Sequence, residues 1–221
     1  MPIIKYKDKT LHFAHIPKCA GSSIESYIKR INGAELAFVD ISYVGNPAKK
    51  PWNISSPQHI DGQAFARLFP RSFFDAFFAI VRDPLNRVQS AYKFQRFVET
   101  KINASESLDS FIKQKLHKNY DKIGWMDNHF LPQNRFLYPN TSYQIFKLER
   151  DGLGPVKKYI DTQLLGNNIE LKMPFENAAK KPQDFDSSEL SLSDESIEIL
   201  NEIYRDDLVR FKFPEIALGK N

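Results

Sequence analysis

Thr10-Leu-His-Phe-Ala-His-Ile-Pro-Lys-Cys-Ala-Gly-Ser-Ser-Ile24 changes character twice along its length. Thr10 to Ile16 is apolar and β-favouring and stops at Pro17, which cannot donate to a strand ladder. Past a short loop, Ile24, Ile28 and Ile31 recur at helical spacing until Asn32-Gly33 supplies a stop. Ser22 with Glu25 is an S-x-x-E capping box, predicted to open that helix. A strand, loop and helix joined in this way leave unpaired backbone N–H groups at the helix start, where the helix dipole favours negative charge. Gly21 lets the backbone approach a ligand closely, Ser22 and Ser23 add hydroxyls, and Lys18 brings a mobile positive charge. The same residues also read as a plain N-cap at Ser22 beside a solvated lysine.

A second unit of this kind lies further along. Asp75 to Val81 is an apolar run of strand length, the pattern of a strand buried on both faces, and it ends at Arg82-Asp83-Pro84. Asp83 can cap a helix whose first residue is Pro84, with Leu85, Val88 and Tyr92 on one face. Ligands gather beyond the carboxyl ends of strands in open parallel sheets. Arg82 is therefore placed to meet an anion with its planar fork of donors, and Ser90, two turns along the helix, can reach the same anion. The plainer alternative pairs Arg82 with Asp83 and leaves Ser90 an ordinary helix residue.

Around these units, Glu35 to Ile41 and Tyr143 to Leu148 read as strands, and Leu108 to Leu116 and Pro155 to Leu164 as helices. Ser193 to Val209 reads as one capped amphipathic helix, while Gly45 to Pro57 and Lys172 to Ser191 are polar and loop-like. Alternating strands and helices predict an α/β fold in three layers, a mainly parallel sheet flanked by helices, as a single domain over residues 1–221.

Composition works by exclusion. The 221 residues, 42% hydrophobic and 26% charged, are ordinary for a globular protein with one sizeable core. A net charge of +4 suits an anionic ligand or nucleic acid equally. The basic residues are scattered, however, and no nucleic-acid-binding motif is present, so no nucleic-acid partner is expected. Cys19 stands alone, which excludes an intramolecular disulfide and a multi-cysteine metal site. The richest apolar run, Phe73 to Val81, is too short to span a bilayer, and the first residues lack the apolar core of a signal peptide. The expectation is a cytoplasmic protein with no integral membrane segment and no bound metal.

His15-Ile-Pro-Lys-Cys-Ala-Gly-Ser-Ser-Ile24 resembles the H-I-P-K-T-G-G-T-S motif of carbohydrate sulfotransferases that use 3′-phosphoadenosine-5′-phosphosulfate (PAPS). Ile80-Val-Arg-Asp-Pro-Leu-Asn-Arg-Val-Gln-Ser-Ala-Tyr92 is similar to their V-R-D-P-x-x-R-x-x-S-x-Y motif. The resemblance implies a P-loop-NTPase-like sulfotransferase fold, with PAPS as donor and 3′,5′-adenosine bisphosphate (PAP) as product. It implies Lys18 at the bridging oxygen, Gly21, Ser22 and Ser23 at the 5′-phosphate, and Arg82 and Ser90 at the 3′-phosphate, with Arg87 a further candidate there. Cys19 and Ala20 depart from the usual Thr and Gly; both are small, which keeps the loop path but weakens a hydroxyl contact at Cys19. Shorter likenesses are Asp127-Asn-His-Phe-Leu-Pro-Gln133 to a D-x-H-x-x-P-Q segment, Phe146-Lys-Leu-Glu149 to a strand ending in Glu, and Tyr204-Arg-Asp-Asp207 with Phe211 to a closing helix. Together they extend the resemblance from Phe13 to Phe213.

Sulfuryl transfer to an alcohol needs in-line attack, a base for the hydroxyl proton and charge stabilisation on the departing phosphate. Lys18 suits the last of these. Histidine is the natural base near neutral pH, and five are available. His12 and His15 lie in the first strand, where one faces the core, and His117 ends a polar helix. His59 is preferred, because related sulfotransferases carry their catalytic histidine between the two phosphate motifs; His129 and Glu149 are the alternatives. The implied acceptor bears a hydroxyl and is a sugar or glycan. Gly45 to Pro57, Asn119 to Asn134 and Lys172 to Ser188 are the candidate acceptor loops. A P-loop-like kinase of a small alcohol or sugar is the competing enzyme, set back by the missing G-x-x-x-x-G-K-[ST] order. A basic nucleic-acid-binding module is the competing non-enzyme.

Overall fold

In the computed structural model, residues 1–40, 53–167, 169–174 and 187–218 are described. Among these residues five strands form one sheet: β1 (Ile3–Tyr6), β2 (Lys9–Ala14), β3 (Ala34–Ala37), β4 (Ala76–Val81) and β5 (Gln144–Lys147), in the order β3-β1-β2-β4-β5. β2 pairs in parallel with β4 in a register that sets Phe13 beside Phe78, and β4 pairs in parallel with β5. β1 runs antiparallel to both β2 and β3. The sheet is thus mixed, with parallel pairing confined to β2, β4 and β5, which corrects the expectation of a mainly parallel sheet. The unforeseen element is β1. Ile3-Ile-Lys-Tyr6 is too short to declare itself by pattern, and it becomes a strand by lying between two partners across the tight turn at Lys7-Asp8.

The central strand behaves as its sequence demands. Phe77 to Val81 are all buried, because helices and loops cover both faces of the sheet there. Ile24, Tyr27 and Ile28 of helix α1 (Gly21–Ile28) join Phe13, Phe78, Ile80, Phe65, Phe136, Val156 and Ile160 in the main core. A second apolar cluster gathers Val88, Ala91 and Tyr92 of α3 (Pro84–Phe97) with Phe111, Phe130, Leu200 and Tyr204. Between α1 and α3 in the chain, α2 (Gly62–Leu68) is capped by Asp61, whose carboxylate accepts from the N–H groups of Gln63 and Ala64.

Local signals succeed at some helix starts and fail at others. Asp83 caps α3 by accepting from the Asn86 N–H at 3.0 Å, with Pro84 in the first turn, as expected. The capping box at Ser22 does not form: α1 starts after Ala20, with no side-chain cap, and the Glu25 carboxylate goes to His15 instead. The expected helix from Leu108 to Leu116 is α-helical over Leu108–Phe111 and continues as a π-helix over Ile112–Leu116. The expected closing helix is two, Asp194–Ile203 and Arg205–Phe211, broken at Tyr204. The Tyr204 hydroxyl donates to the Phe130 carbonyl at 2.8 Å, and the break turns Asp207 inward. Most of the loop from Gly45 to Pro57, and much of Lys172 to Ser191, lie outside the described residues. Among the described residues no helix is long and apolar enough to cross a membrane.

Candidate active site

The loop between β2 and α1 is held in a shape its residues do not favour. Lys18 (φ 69°) and Ala20 (φ 64°) are both left-handed, a conformation costing roughly 1–2 kcal/mol for a residue with a side chain. Hydrogen bonds from the Cys19 N–H to the Ile16 carbonyl and from the Ser23 N–H to the Ala20 carbonyl hold the turn. Gly21 is needed for a reason not foreseen: a Cβ there would lie 1.8 Å from His15 Nε2, so the imidazole packs where a side chain would stand. Ser22 is exposed and Ser23 buried. Cys19 is buried with its Sγ 3.6 Å from Gln133 Oε1, and burial pushes the thiol up to about 12, so it acts as packing and not as a nucleophile. Lys18 places its ammonium 4.0 Å from the centre of the Phe94 ring. Burial, aided by nearby Arg82, lowers its pKa to about 8.

Arg82 emerges at the carboxyl end of β4, as predicted. Its peptide is clamped by Gln133, whose Oε1 accepts from the Arg82 N–H at 2.9 Å and whose Nε2 donates to the Arg82 carbonyl at 2.8 Å. Its guanidinium donates to Glu149 at 2.9 Å and comes within 3.5 Å of the Lys18 carbonyl. Arg82 therefore reaches the backbone of the Lys18 loop while its charge is paired with Glu149. Glu149, an alternative base, is instead the ion-pair partner of Arg82. Ser90 is half-buried on α3. Arg87 departs from its implied phosphate role. It is 1% exposed and donates to the Pro17 carbonyl at 3.1 Å and the His129 carbonyl at 3.0 Å, pinning the Lys18 loop to the segment that carries His129.

The histidines form a line that no spacing announced. His59 closes a 3-10 turn (Pro57–His59), and its Nδ1 lies 2.7 Å from Asp127 Oδ2. Asp127 also accepts from the Ser56 N–H at 2.6 Å and from the Ser56 hydroxyl at 2.7 Å. The His59 ring stands edge-on to both His15 and His129, with centres 5.1 Å away in each case. His15 Nδ1 lies 2.8 Å from Glu25, and His129 Nδ1 lies 2.9 Å from the Met126 carbonyl. The His129 ring stacks on Phe94 at 5.0 Å, the same ring that carries the Lys18 ammonium. Lys18, Phe94, His129 and His59 are consequently neighbours in sequence of contact.

Electrostatics sort these groups. Burial lowers His59, and the Asp127 carboxylate opposes that fall. Burial drives His129 well below the usual imidazole value, with His59 pushing the same way. Burial alone would raise Asp127, but hydrogen bonds from His59 and Ser56 outweigh it and hold the carboxylate well below its usual range. His12 and His15 both prove buried. His12 sits among Phe65, Phe74, Phe77 and Tyr143, with Nδ1 3.1 Å from the Tyr143 hydroxyl, a core role. His117 is exposed.

Asp127 and Phe94, to which the sequence assigns no role, contact His59 and Lys18 respectively. The only available signal for Asp127 was its place two residues before His129. The fold also supplies something the spacing did not suggest: ligand atoms of His59, Asp127 and His129 lie within 4.8 Å of one another, close enough to share a divalent ion.

The mixed sheet of this α/β protein thus carries a lysine loop at the head of a helix, an arginine at the next strand end and a carboxylate-backed histidine. The profile of the sulfotransferase family matches residues 2–214. The chain belongs to that family, whose members transfer a sulfuryl group to an acceptor hydroxyl. No curated protein and no solved structure matches the chain.

Proposed function

We propose that this sulfotransferase takes its sulfuryl group from PAPS and delivers it to a carbohydrate hydroxyl, with His59 as general base and Lys18 as the cation beside the leaving phosphate. The observation that supports the reading is the run of contacts from Lys18 through Phe94 and His129 to His59, which links a cation to a buried imidazole. With Nδ1 engaged by Asp127, His59 has Nε2 left to accept the acceptor proton. The acceptor oxygen forms its bond to sulfur as the bond from sulfur to the phosphate oxygen breaks, and the proton passes to His59. Lys18, displaced from Phe94, offsets the charge left on the phosphate. Gly21, Ser22 and Ser23 at the head of α1 are the residues to hold the 5′-phosphate, and Arg82 with Ser90 the 3′-phosphate. A cytoplasmic setting belongs to the same proposal and draws on the single, unpaired cysteine.

The deciding experiment is a screen of glycans and simple alcohols with sulfur-labelled PAPS in the presence of a magnesium chelator. Label appearing on a carbohydrate is the expected result. Phosphate transfer from ATP that needs magnesium, without sulfate transfer, would replace this reading with a kinase.

A further inference from the structure

Met126, Asp127 and Asn128 hold φ values of 45°, 53° and 60°, three left-handed residues in a row with no glycine among them. Residues with side chains rarely adopt this conformation singly and hardly ever in succession, and such backbone gathers at functional sites where the surroundings enforce it. The enforcing contacts are explicit. Gly124, itself at φ 87°, donates its N–H to Asn128 Oδ1 at 2.7 Å, and its carbonyl accepts from the Asp127 N–H at 3.1 Å. The Met126 carbonyl accepts from the His129 N–H at 3.1 Å.

What the turn delivers is a double grip on one residue. Asp127 reaches the His59 ring at 2.7 Å, and Asn128 Nδ2 donates to the His59 carbonyl at 2.8 Å. Asp127 is in turn fixed by two hydrogen bonds from Ser56, three residues before His59. Ring and backbone of His59 are thus held from the same three-residue turn. A segment serving only to tie two loops together would not need to aim successive side chains at one histidine.

We infer that the turn at 126–128 exists to orient His59, with Asp127 the positioning residue that keeps the proton on Nδ1 and so leaves Nε2 open to the acceptor hydroxyl. This rests on the reading of His59 as the base. A carboxylate behind an imidazole fixes its tautomer and stabilises the imidazolium formed when the proton arrives. Among the described residues, the groups facing His59 are Asp127, the His15–Glu25 pair, His129 and the ammonium of Met1, which donates to the Pro57 carbonyl. Among them, only the Asp127 and Glu25 carboxylates are acidic, and Glu25 is occupied by His15.

The test compares Asp127→Asn, Asp127→Glu, Ser56→Ala and His59→Ala in the full chain, with PAP binding measured alongside turnover. Asp127→Asn should lower kcat about 100-fold while leaving PAP affinity and the donor KM within about twofold. The acidic limb of its kcat/KM profile should move to lower pH, because a charge favouring the protonated ring is gone. Asp127→Glu should return the limb toward its original position, and Ser56→Ala should lower kcat about threefold. A lowered thermal midpoint with kcat and the acidic limb unmoved would mean the turn is merely structural. If Asp127→Asn does not fold, unchanged kcat in Ser56→Ala decides against the inference. Loss of activity to a chelator, restored by zinc, would make Asp127 a metal ligand and overturn its positioning role. Wild-type turnover in His59→Ala would remove the base assignment itself, whereas an inactive His59→Ala beside a fully active Asp127→Asn removes only the positioning role.

Discussion

The two sides of the site are built in opposite ways. The proposed donor side, Lys18 to Ser23 with Arg82, is a continuous loop and a strand end, each meeting a helix start, with Lys18 and Arg82 partly buried. The base side, His59 with Ser56, Asp127 and Asn128, is assembled from separate segments, and His59 is only 9% exposed. Under the proposed function the donor side binds through backbone at a helix start, which a contiguous motif can supply. On the base side a single nitrogen must be aimed, and aiming a ring takes contacts from more than one direction. Cys19 and Ala20 are both small, but Ala20 takes up the left-handed φ of 64° at a cost.

The largest expected effect breaks the comparison at its base end. His59→Ala should lower turnover about 1,000-fold with PAP affinity within about twofold, read by labelled-sulfate transfer and calorimetry. Normal turnover would shift the base to another residue. Lys18→Ala should lower kcat about 100-fold, acting on chemistry more than on binding. Arg82→Ala should raise the PAP dissociation constant about tenfold with a smaller effect on kcat, as expected for loss of charge-assisted hydrogen bonds. Equal losses in both parameters for both variants would erase the division of labour within the donor side.

Gly21→Ala sharpens the comparison, because it links the two sides. The new Cβ would collide with His15, which is held by Glu25 and stands against His59. Destabilisation of about 1–3 kcal/mol in urea unfolding is expected, with kcat falling along with donor affinity. A purely donor-side defect would show that His15 swings away freely.

The smallest effects are in pH. Lys18 loses its charge as pH rises through about 8, so kcat/KM for the donor should fall above that value. The base side should fail from the other direction, as His59 takes a proton at a pH below the ordinary 6.5. Stability has the same acid sensitivity. His12, His59 and His129 are all lowered, so below about 6.5 the unfolded chain binds more protons than the folded one and stability falls with pH. Asp127, also held low, adds to the loss at still lower pH. Thermal melts between pH 7 and pH 5 should show a midpoint that declines steadily (the pH span follows the ordinary histidine range, about 6.5).

The legible parts of the fold were those governed by neighbours in the chain. Asp83-Pro84 starts α3 because an aspartate cap and a proline in the first turn satisfy the helix's own unpaired groups. Asp75 to Val81 contained β4 because an unbroken apolar run has to be covered on both faces. The same local logic misled at Ser22 and Glu25, where a tertiary partner, His15, took the carboxylate that the capping box required. It was silent on β1, whose strand character comes from its pairing with β2 and β3.

Taken alone, the sequence determined two strand–loop–helix units, their order, and the residues Lys18, Gly21 and Arg82 at their turns. Only the tertiary structure decided that Arg87 pins carbonyls, that Glu149 pairs with Arg82, and that Asp127 stands behind His59. Helix caps and periodicity act over a few residues and leave a local trace. His59 and Asp127 are 68 positions apart, and Arg82 and Gln133 are 51, so no local pattern records which of them will meet. Those meetings are set by how the sheet and its covering helices close the intervening chain, a choice made by the burial of the whole core.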